Sequence, residues 1–218
     1  MSRLFVKICG ITTPEDARLA VEAGADALGF VFWPMSPRRV DPAAAAAIAR
    51  ELPPFVLRVG VFVNTPRQEM ARIAEAVGLD ILQLHGDEPP EALIGLPRRA
   101  IKAVRVGRGF VADDASRYVS VTAGLLVDTR LAGDTQAPGG SGVPFDWSLV
   151  KGLATRVPFL VLAGGLTPAH VAEAVRAVRP HAVDVASGVE TLPGRKDPAR
   201  VRAFVAAARA VESEEAAS

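Results

Sequence analysis

The sequence is short of several residues that mark particular classes of protein. It holds one cysteine, Cys9, so no disulfide can form within the chain. Its three histidines, His85, His170 and His181, lack the spacing of a metal site, so we predict no bound metal. No apolar stretch is long enough to span a bilayer and no charged-then-apolar leader opens the chain. We therefore expect a cytoplasmic protein with no membrane association.

An excess of charge of one sign is also missing. The formal net charge is +1, from 25 basic and 24 acidic side chains, which gives no electrostatic reason to bind nucleic acid or an anionic membrane. Apolar residues, in contrast, are plentiful. They make up 50% of the 218 residues, enough for the sizeable core of one domain. We predict that this domain spans 1–211 and that 212–218 form a disordered tail.

Short apolar runs alternate with helix-like segments eight times along the chain, with glycine or proline at most of the joints. Such runs are typical of strands buried on both faces, so the pattern predicts an α/β fold, a single-domain (β/α)₈ TIM barrel. A doubly wound open sheet is the alternative, but it usually has fewer repeats, and its G-x-G-x-x-G fingerprint is absent after the first run. The predicted strands are 4–9, 27–32, 55–63, 81–84, 100–104, 124–128, 159–162 and 183–185. Helices are predicted at 14–23, 42–50, from 65–66 onward, before 96, near 113–119, near 146–153, at 168–178 and at 197–211.

Polar side chains collect where these strands end, which in a barrel is the mouth that carries the chemistry. Cys9 ends the first strand, and alternation along the strand puts Lys7 on the same face. Asp128 ends the sixth strand. Each has a structural alternative: a free cysteine is usually a small buried hydrophobe, and Asp128 could be a cap or a partner of Arg130. The other polar residues at this mouth are Arg38, Asn64, Gln83, His85 and Lys102.

Two glycine-rich segments, 162–168 and 184–190, follow the seventh and eighth strands. Barrels commonly hold a phosphate there, because glycine lets backbone N–H groups face an anion. The alternative is a pair of ordinary tight turns. We predict phosphate binding by Gly164, Gly165, Ser187 and Gly188. Gly142, in a third glycine-rich loop, would add a donor or belong to a lid.

A series of characteristic segments covers almost the whole chain. They are KICGIT at 7–12, GADALGFVF at 24–32, SPR at 36–38, GVFVN at 60–64, QLHGDE at 83–88, LLVDT at 125–129, GGSG at 139–142, FDW at 145–147, AGGL at 163–166 and DVASGVE at 184–190. Taken together and in this order, these segments resemble those of the phosphoribosylanthranilate isomerase family. Three small departures are Ala186, Ser141 and His170, where the family has mostly serine, threonine and asparagine, and the first could remove one phosphate hydrogen bond.

The resemblance implies an Amadori rearrangement of N-(5-phosphoribosyl)anthranilate to 1-(2-carboxyphenylamino)-1-deoxyribulose 5-phosphate, a step of tryptophan biosynthesis that needs no cofactor. It implies that Cys9 is the general base and Asp128 the general acid, with Arg38 near the anthranilate carboxylate. Lys7, Gln83 and His85 complete the substrate-binding residues we expect. We also expect the Lys7 ammonium to raise the thiolate fraction of Cys9. The family includes monomers and dimers, and a homodimer would cover exposed apolar loops.

Three other interpretations stay open at this point. The ribotide isomerase of histidine synthesis performs the same rearrangement but works with two aspartates, whereas this chain has Cys9 at the first of those positions. An indole-glycerol-phosphate synthase would need a catalytic lysine, for which Lys102 is a candidate, and a glutamate that does not stand out. A non-catalytic barrel that binds a sugar phosphate would make Cys9 and Asp128 incidental.

Overall fold

Eight parallel strands close into a barrel, as their apolar sequences predict. The computed structural model describes residues 3–107, 115–129 and 146–216. Each strand pairs with the next along the chain, and the last pairs with the first, so the predicted (β/α)₈ barrel is confirmed. The strands are β1 (Phe5–Cys9), β2 (Ala27–Val31), β3 (Leu57–Phe62), β4 (Ile81–Leu84), β5 (Arg99–Val106), β6 (Gly124–Thr129), β7 (Leu160–Leu162) and β8 (Ala182–Val185).

The helices around the barrel begin at local sequence signals. The Thr13 side chain accepts a hydrogen bond from the Asp16 N–H at the start of the first helix, and the Asp41 side chain does the same for Ala43 at the second. A proline follows each cap directly, at the first helical position. The helices are α1 (Pro14–Glu22), α2 (Pro42–Arg50), α3 (Arg67–Val77), α4 (Val171–Val178) and α5 (Pro198–Ala216). No helix in the described part of the chain has the length and apolarity to cross a membrane.

Two of the predicted helices are 3₁₀ turns. In place of a helix near 146–153 there are two such turns, Trp147–Val150 and Leu153–Thr155. Gly152 separates them with a φ of 79°, which an α-helix does not permit. The segment before β5 is a 3₁₀ turn at Pro90–Leu93. The helix predicted near 113–119 lies partly outside the described residues.

The end of the chain also differs from prediction. After β8 comes a 3₁₀ turn at Ser187–Val189 and then an antiparallel hairpin, which the sequence pattern did not indicate. Its strands are β9 (Glu190–Leu192) and β10 (Arg195–Lys196). α5 continues to Ala216, past the predicted helix end at 211, and 217–218 of the predicted tail at 212–218 lie outside the described residues. The Glu212 carboxylate accepts a hydrogen bond from the backbone N–H of Leu4 and so ties α5 to the start of β1.

Side chains inside the barrel are few, and they differ in character from the large apolar layer between strands and helices. One small apolar cluster inside it is Ala103, Leu126, Val161, Ala163 and Ala182, and a second is Cys9, Val31 and Val61. Lys7 and Asp184, register partners on β1 and β8, form a buried ion pair with 2.8 Å between Nζ and Oδ1. Charge is therefore built into the barrel interior, directly beneath its C-terminal mouth.

Candidate active site

A cleft opens at the C-terminal mouth of the barrel, between the ends of the strands and the loops that follow them. It gathers titratable side chains and glycine-rich loops that are far apart in the sequence. No three side chains of the metal-binding types converge on a point within the described ranges. The lining includes Cys9, Trp33, Ser36, Arg38, Gln83, His85, Asp128, Gly164, Gly165, Asp184, Ala186 and Ser187.

Cys9 lies at the end of β1 with 7% of its surface exposed. The strand beside it makes room for the thiol, because a Cβ on Gly29 would lie 2.6 Å from Sγ of Cys9. That is inside van der Waals contact, so any larger residue at Gly29 would displace the sulfur. Because Gly29 of β2 has no side chain, it leaves the space that the Cys9 thiol occupies.

Lys7 lies below Cys9 on the same face of β1, as predicted, but it does not line the cleft. Burial lowers the pKa of Lys7, yet attraction to Asp184 and Cys9 outweighs burial and the pKa is raised overall. Burial also raises the pKa of the Cys9 thiol. Lys7 opposes that rise, Asp184 adds to it, Lys196 opposes it, and the net direction is upward.

Lys7 by itself lowers the pKa of Cys9, as we expected, but the pKa is raised overall. Lys7 is paired with Asp184, whose negative charge raises the pKa of Cys9. Burial of the thiol away from water raises that pKa more than Lys7 lowers it. The net effect of the site on the pKa of Cys9 therefore favours the thiol over the thiolate.

Asp128 ends the apolar run of β6 and is 5% exposed. His85, directly after β4, places Nε2 3.1 Å from Oδ2 of Asp128. The other ring nitrogen, Nδ1, is 3.0 Å from Nε2 of Gln83, which is also on β4. Sequence analysis named all three residues, and the structure joins them into one hydrogen-bonded chain.

Arg38 reaches the cleft from the loop after β2, and its guanidinium is held by Glu190 at the start of β9. Nε donates to both carboxylate oxygens of Glu190 at 3.0 and 3.1 Å, and Nη2 donates to Oε2 at 2.8 Å. Lys196 on β10 also contacts Glu190, at 2.8 Å, and donates to the carbonyl oxygen of Cys9 at 2.6 Å. Burial raises the pKa of Glu190, but its bonds to Arg38 and Lys196 outweigh burial and the pKa is lowered.

The two glycine-rich loops meet at the rim of the cleft. Gly164 and Gly165 have φ angles of 84° and 65°, a region that side chains disfavour. A Cβ at Gly188 would overlap the carbonyl oxygen of Leu166, so the second loop packs directly on the first. Of the predicted phosphate ligands, Gly164, Gly165 and Ser187 line the cleft, Gly188 packs behind it, and Gly142 lies outside the described residues.

Four residues of the site were not predicted from the sequence. The sequence did contain a signal for Asp184, because this charged residue interrupts an apolar strand. In the structure it is the register partner of the buried Lys7. Trp33 lies two residues after the end of β2 and could have been placed by its position alone. Glu190 and Lys196 had no local signal, because their roles depend on a hairpin that brings them to Arg38 and β1.

The chain matches known proteins over nearly its full length. The family model for N-(5'-phosphoribosyl)anthranilate (PRA) isomerase matches residues 6–207. An N-(5'-phosphoribosyl)anthranilate isomerase of Pseudomonas fluorescens is 52% identical over 211 residues, which cover 96% of this chain and 100% of that protein.

Two solved structures of phosphoribosylanthranilate isomerases are similar in fold and sequence. One, in complex with reduced 1-(o-carboxyphenylamino)-1-deoxyribulose 5-phosphate, has a TM-score of 0.85 and 44% identity, covering 95% of this chain and 100% of that one. The other is of monomers generated from the dimeric enzyme of Thermotoga maritima, with a TM-score of 0.84 and 42% identity at the same coverages.

These matches favour one of the interpretations left open by the sequence over the other three. The chain belongs to the N-(5'-phosphoribosyl)anthranilate isomerase family, and its reaction is the isomerisation after which that family is named.

Proposed function

We propose that Cys9 is the general base and Asp128 the general acid in the rearrangement of N-(5-phosphoribosyl)anthranilate, a step of tryptophan biosynthesis. The observation that carries this assignment is that one buried cleft brings a thiol from β1 and a carboxyl from β6 together with two glycine-rich loops. An acid and a base are what the reaction needs, since it moves protons and requires no redox partner.

The substrate's two anionic groups suit the two ends of the cleft. Its phosphate would lie against Gly164, Gly165 and Ser187, which line the cleft in glycine-rich loops of the kind that turn backbone N–H groups toward an anion. Its anthranilate carboxylate would face Arg38. Because Glu190 fixes the guanidinium through three hydrogen bonds, Arg38 meets the substrate in a set orientation and loses little conformational freedom on binding.

The reaction proceeds in three steps. Asp128 gives a proton to the ring oxygen as the C1–O bond breaks, and the nitrogen lone pair forms a Schiff base with C1. The Cys9 thiolate then takes the C2 proton, which gives an enolamine. Protonation at C1 and loss of the C2 hydroxyl proton produce the ketone. Because the pKa of Cys9 is raised, we expect turnover to increase with pH as more thiolate forms.

The assignment is tested by following the fluorescence of freshly generated phosphoribosylanthranilate with wild type, Cys9→Ser and Asp128→Asn. Each variant should lose on the order of 10²- to 10⁴-fold in kcat, the usual contribution of one acid or base, and should still bind reduced 1-(o-carboxyphenylamino)-1-deoxyribulose 5-phosphate.

Glu75→Gln, on the exposed surface of α3, is the matched control and should keep wild-type turnover. Turnover within tenfold of wild type in either site variant would remove that residue from its role. A wild-type protein that binds the product analogue but shows no turnover would contradict the proposed chemistry altogether.

We also propose that the protein forms a homodimer in the cytoplasm. The support is an exposed apolar surface near the N-terminal mouth, where Phe55 is 94% exposed and Phe5 and Leu57 are 39% and 38% exposed. Large exposed aromatic residues of this kind are typical of protein interfaces. The related Thermotoga maritima enzyme is described as dimeric.

A further inference from the structure

Lys102 is a buried charged residue to which the three steps above give no part. It lies on β5, is 2% exposed and is not among the described residues that line the cleft. Its register partner on β4 is Leu84, which packs in the apolar layer between strands and helices, so Lys102 also points out of the barrel. A buried ammonium is costly unless its partners satisfy it. Those partners therefore indicate its role.

The ammonium of Lys102 holds the backbone on both sides of His85. Nζ donates to the carbonyl oxygen of Gly86 at 2.6 Å and to that of Leu84 at 3.4 Å. These two residues directly follow and directly precede His85. The third partner of Nζ is Oε2 of Glu88, at 2.8 Å. All three acceptors belong to the end of β4 and the turn that follows it, so one ammonium holds this turn together.

The Glu88 carboxylate holds the N–H side of the same turn. Oε2 accepts from the backbone N–H of Gly86 at 2.9 Å, and Oε1 accepts from that of Asn64 at 2.7 Å. The Tyr118 hydroxyl donates to the carbonyl oxygen of Glu88 at 2.9 Å, which fixes the far end of the turn. The ion pair of Lys102 and Glu88 thus binds both backbone polar groups of Gly86.

The backbone fixed in this way carries the side chain that contacts the proposed acid. Nε2 of His85 is 3.1 Å from Oδ2 of Asp128, and a shift of about 1 Å would break a hydrogen bond of that length. On the strand side His85 is held by its own N–H, which donates to the Phe62 carbonyl oxygen at 2.8 Å. On the other side comes Gly86, the residue type with the most backbone freedom, and there the ion pair supplies the restraint.

We infer that Lys102 and Glu88 are positioning residues whose buried ion pair fixes the backbone after His85 and so keeps its imidazole against Asp128. This inference rests on the proposed role of Asp128 as the general acid. The contact with His85 holds the carboxyl of Asp128 in one orientation, which transfer of its proton to the ring oxygen requires. Neither residue of the pair lines the cleft, so both act through His85 and neither exchanges a proton with the substrate.

Lys102→Met tests the inference in two backgrounds, wild type and His85→Ala. Methionine keeps the apolar stem but cannot donate to the turn. In wild type we expect kcat to fall by about tenfold with KM changed by less than about twofold, because small displacements of a catalytic group are costly and the cleft lining is kept. His85→Ala should itself lower kcat by at least about tenfold. In that background Lys102→Met should change kcat by less than about twofold, because no imidazole is left to position.

Arg58→Met is the matched control at the other end of β4. Nη2 of Arg58 is 2.7 Å from Oδ1 of Asp80, the residue directly before β4, so this ion pair also joins neighbouring strands but lies far from His85. The variant should lower the urea midpoint and keep kcat within about twofold of wild type. A purely structural role of Lys102 would lower kcat by the same factor in both backgrounds.

A second variant covers the case in which Lys102→Met does not fold. The single substitution leaves Glu88 buried without its counter-charge, whereas Lys102→Met combined with Glu88→Gln removes both charges. The glutamine oxygen can still accept from the Gly86 N–H, but the two carbonyls beside His85 lose their donor. We expect the same loss of kcat in the wild-type background and the same lack of effect in His85→Ala.

The possible results separate this inference from the proposed function. If Asp128→Asn retains turnover, the proposed acid is wrong and the positioning role falls with it. If Asp128→Asn is inactive but His85→Ala or the Lys102 variants keep kcat within about twofold, only the positioning role is overturned. An equal loss of kcat in both backgrounds overturns it as well, because Lys102 would then not act through His85.

Discussion

The two mouths of this barrel are built by the same eight strands and differ almost completely in chemistry. The C-terminal mouth carries a thiol, carboxylates, an imidazole and two glycine-rich loops. The N-terminal mouth holds a cavity of about 320 Å³ with a mostly apolar lining, which includes Val59, Ile81, Phe159 and Val161. A cavity alone therefore does not mark the site in this fold. The proposed site differs from this cavity in the larger number of titratable side chains that line it.

The difference arises within single strands, in steps of two residues. On β4 the inward residue is Ile81 at the lower level and Gln83 at the upper one, and on β6 Leu126 is followed by Asp128. Because alternate side chains face the interior, each strand can bury an apolar residue for stability and, one step later, present a polar residue for chemistry.

The largest effect we expect is on the free energy of unfolding, after a substitution among the charged residues at the C-terminal mouth. Glu190→Gln would leave both Arg38 and Lys196 without their buried counter-charge, and breaking a buried pair of this kind costs about 3–5 kcal/mol. Urea denaturation at neutral pH measures the loss. Glu75→Gln, which breaks the exposed pair with Arg98, is the control and should cost about 0.5 kcal/mol or less.

The pH dependence of the same variant has a definite sign. The pKa of Glu190 is lowered by folding, so its ionised form stabilises the protein above its ordinary value of 4.5. That contribution is lost as pH falls through the lowered value, and Glu190→Gln should lack this part of the acid destabilisation. Equal acid sensitivity in both proteins, or a cost as small as that of Glu75→Gln, would mean that the charges at this mouth are not structural.

A smaller effect should follow from removing the charge of Lys7, which lies inside the barrel between the two mouths. Lys7 lowers the pKa of Cys9 against the opposing effect of burial, so Lys7→Met should raise that pKa further. Alkylation by iodoacetamide reports it cleanly because Cys9 is the only thiol. We expect roughly severalfold slower labelling at pH 8 and a midpoint at higher pH than in wild type.

Lys151→Met, at an exposed position, is the control for Lys7→Met and should label like wild type. Circular dichroism checks that both variants are folded. Unchanged or faster labelling in Lys7→Met would show that the ammonium has no influence on the thiol.

The smallest effect on activity should come from the N-terminal side. Phe55→Asp adds a charge to an exposed apolar surface far from the cleft, so kcat per chain should stay within about twofold of wild type. Analytical ultracentrifugation should show a shift toward monomer. A wild-type protein that is monomeric, or a variant that stays dimeric, would exclude Phe55 as an interface residue. A large loss of kcat would show that the N-terminal mouth contributes to activity.

The strands and helix starts could be predicted because their causes are local. Apolar runs such as 27–31 become buried strands, and α1 begins at Pro14 as predicted. The site could be predicted in part for a related reason, since the ends of parallel strands meet at one mouth and bring Cys9 and Asp128 together.

What the sequence could not predict depends on distant parts of the chain. The upward shift of the Cys9 pKa depends on burial and on Asp184, and no pattern around Cys9 indicates that Asp184 of β8 will lie near it. The 3₁₀ turns near Gly152 and the hairpin of β9 and β10 also lie outside simple periodicity, because tertiary packing fixes them. The alternation of apolar residues carries no information about which charged groups will pair.

The bond from Lys196 to the Cys9 carbonyl has a consequence for synthesis. Its partners are 187 positions apart, so the thiol's end of β1 receives this support only after nearly the whole chain has been made. A nascent chain can begin to assemble its early strands during translation, but Cys9, the proposed base, gains this contact only after β10 has left the ribosome. A chain truncated before Lys196 would hold Cys9 without that anchor.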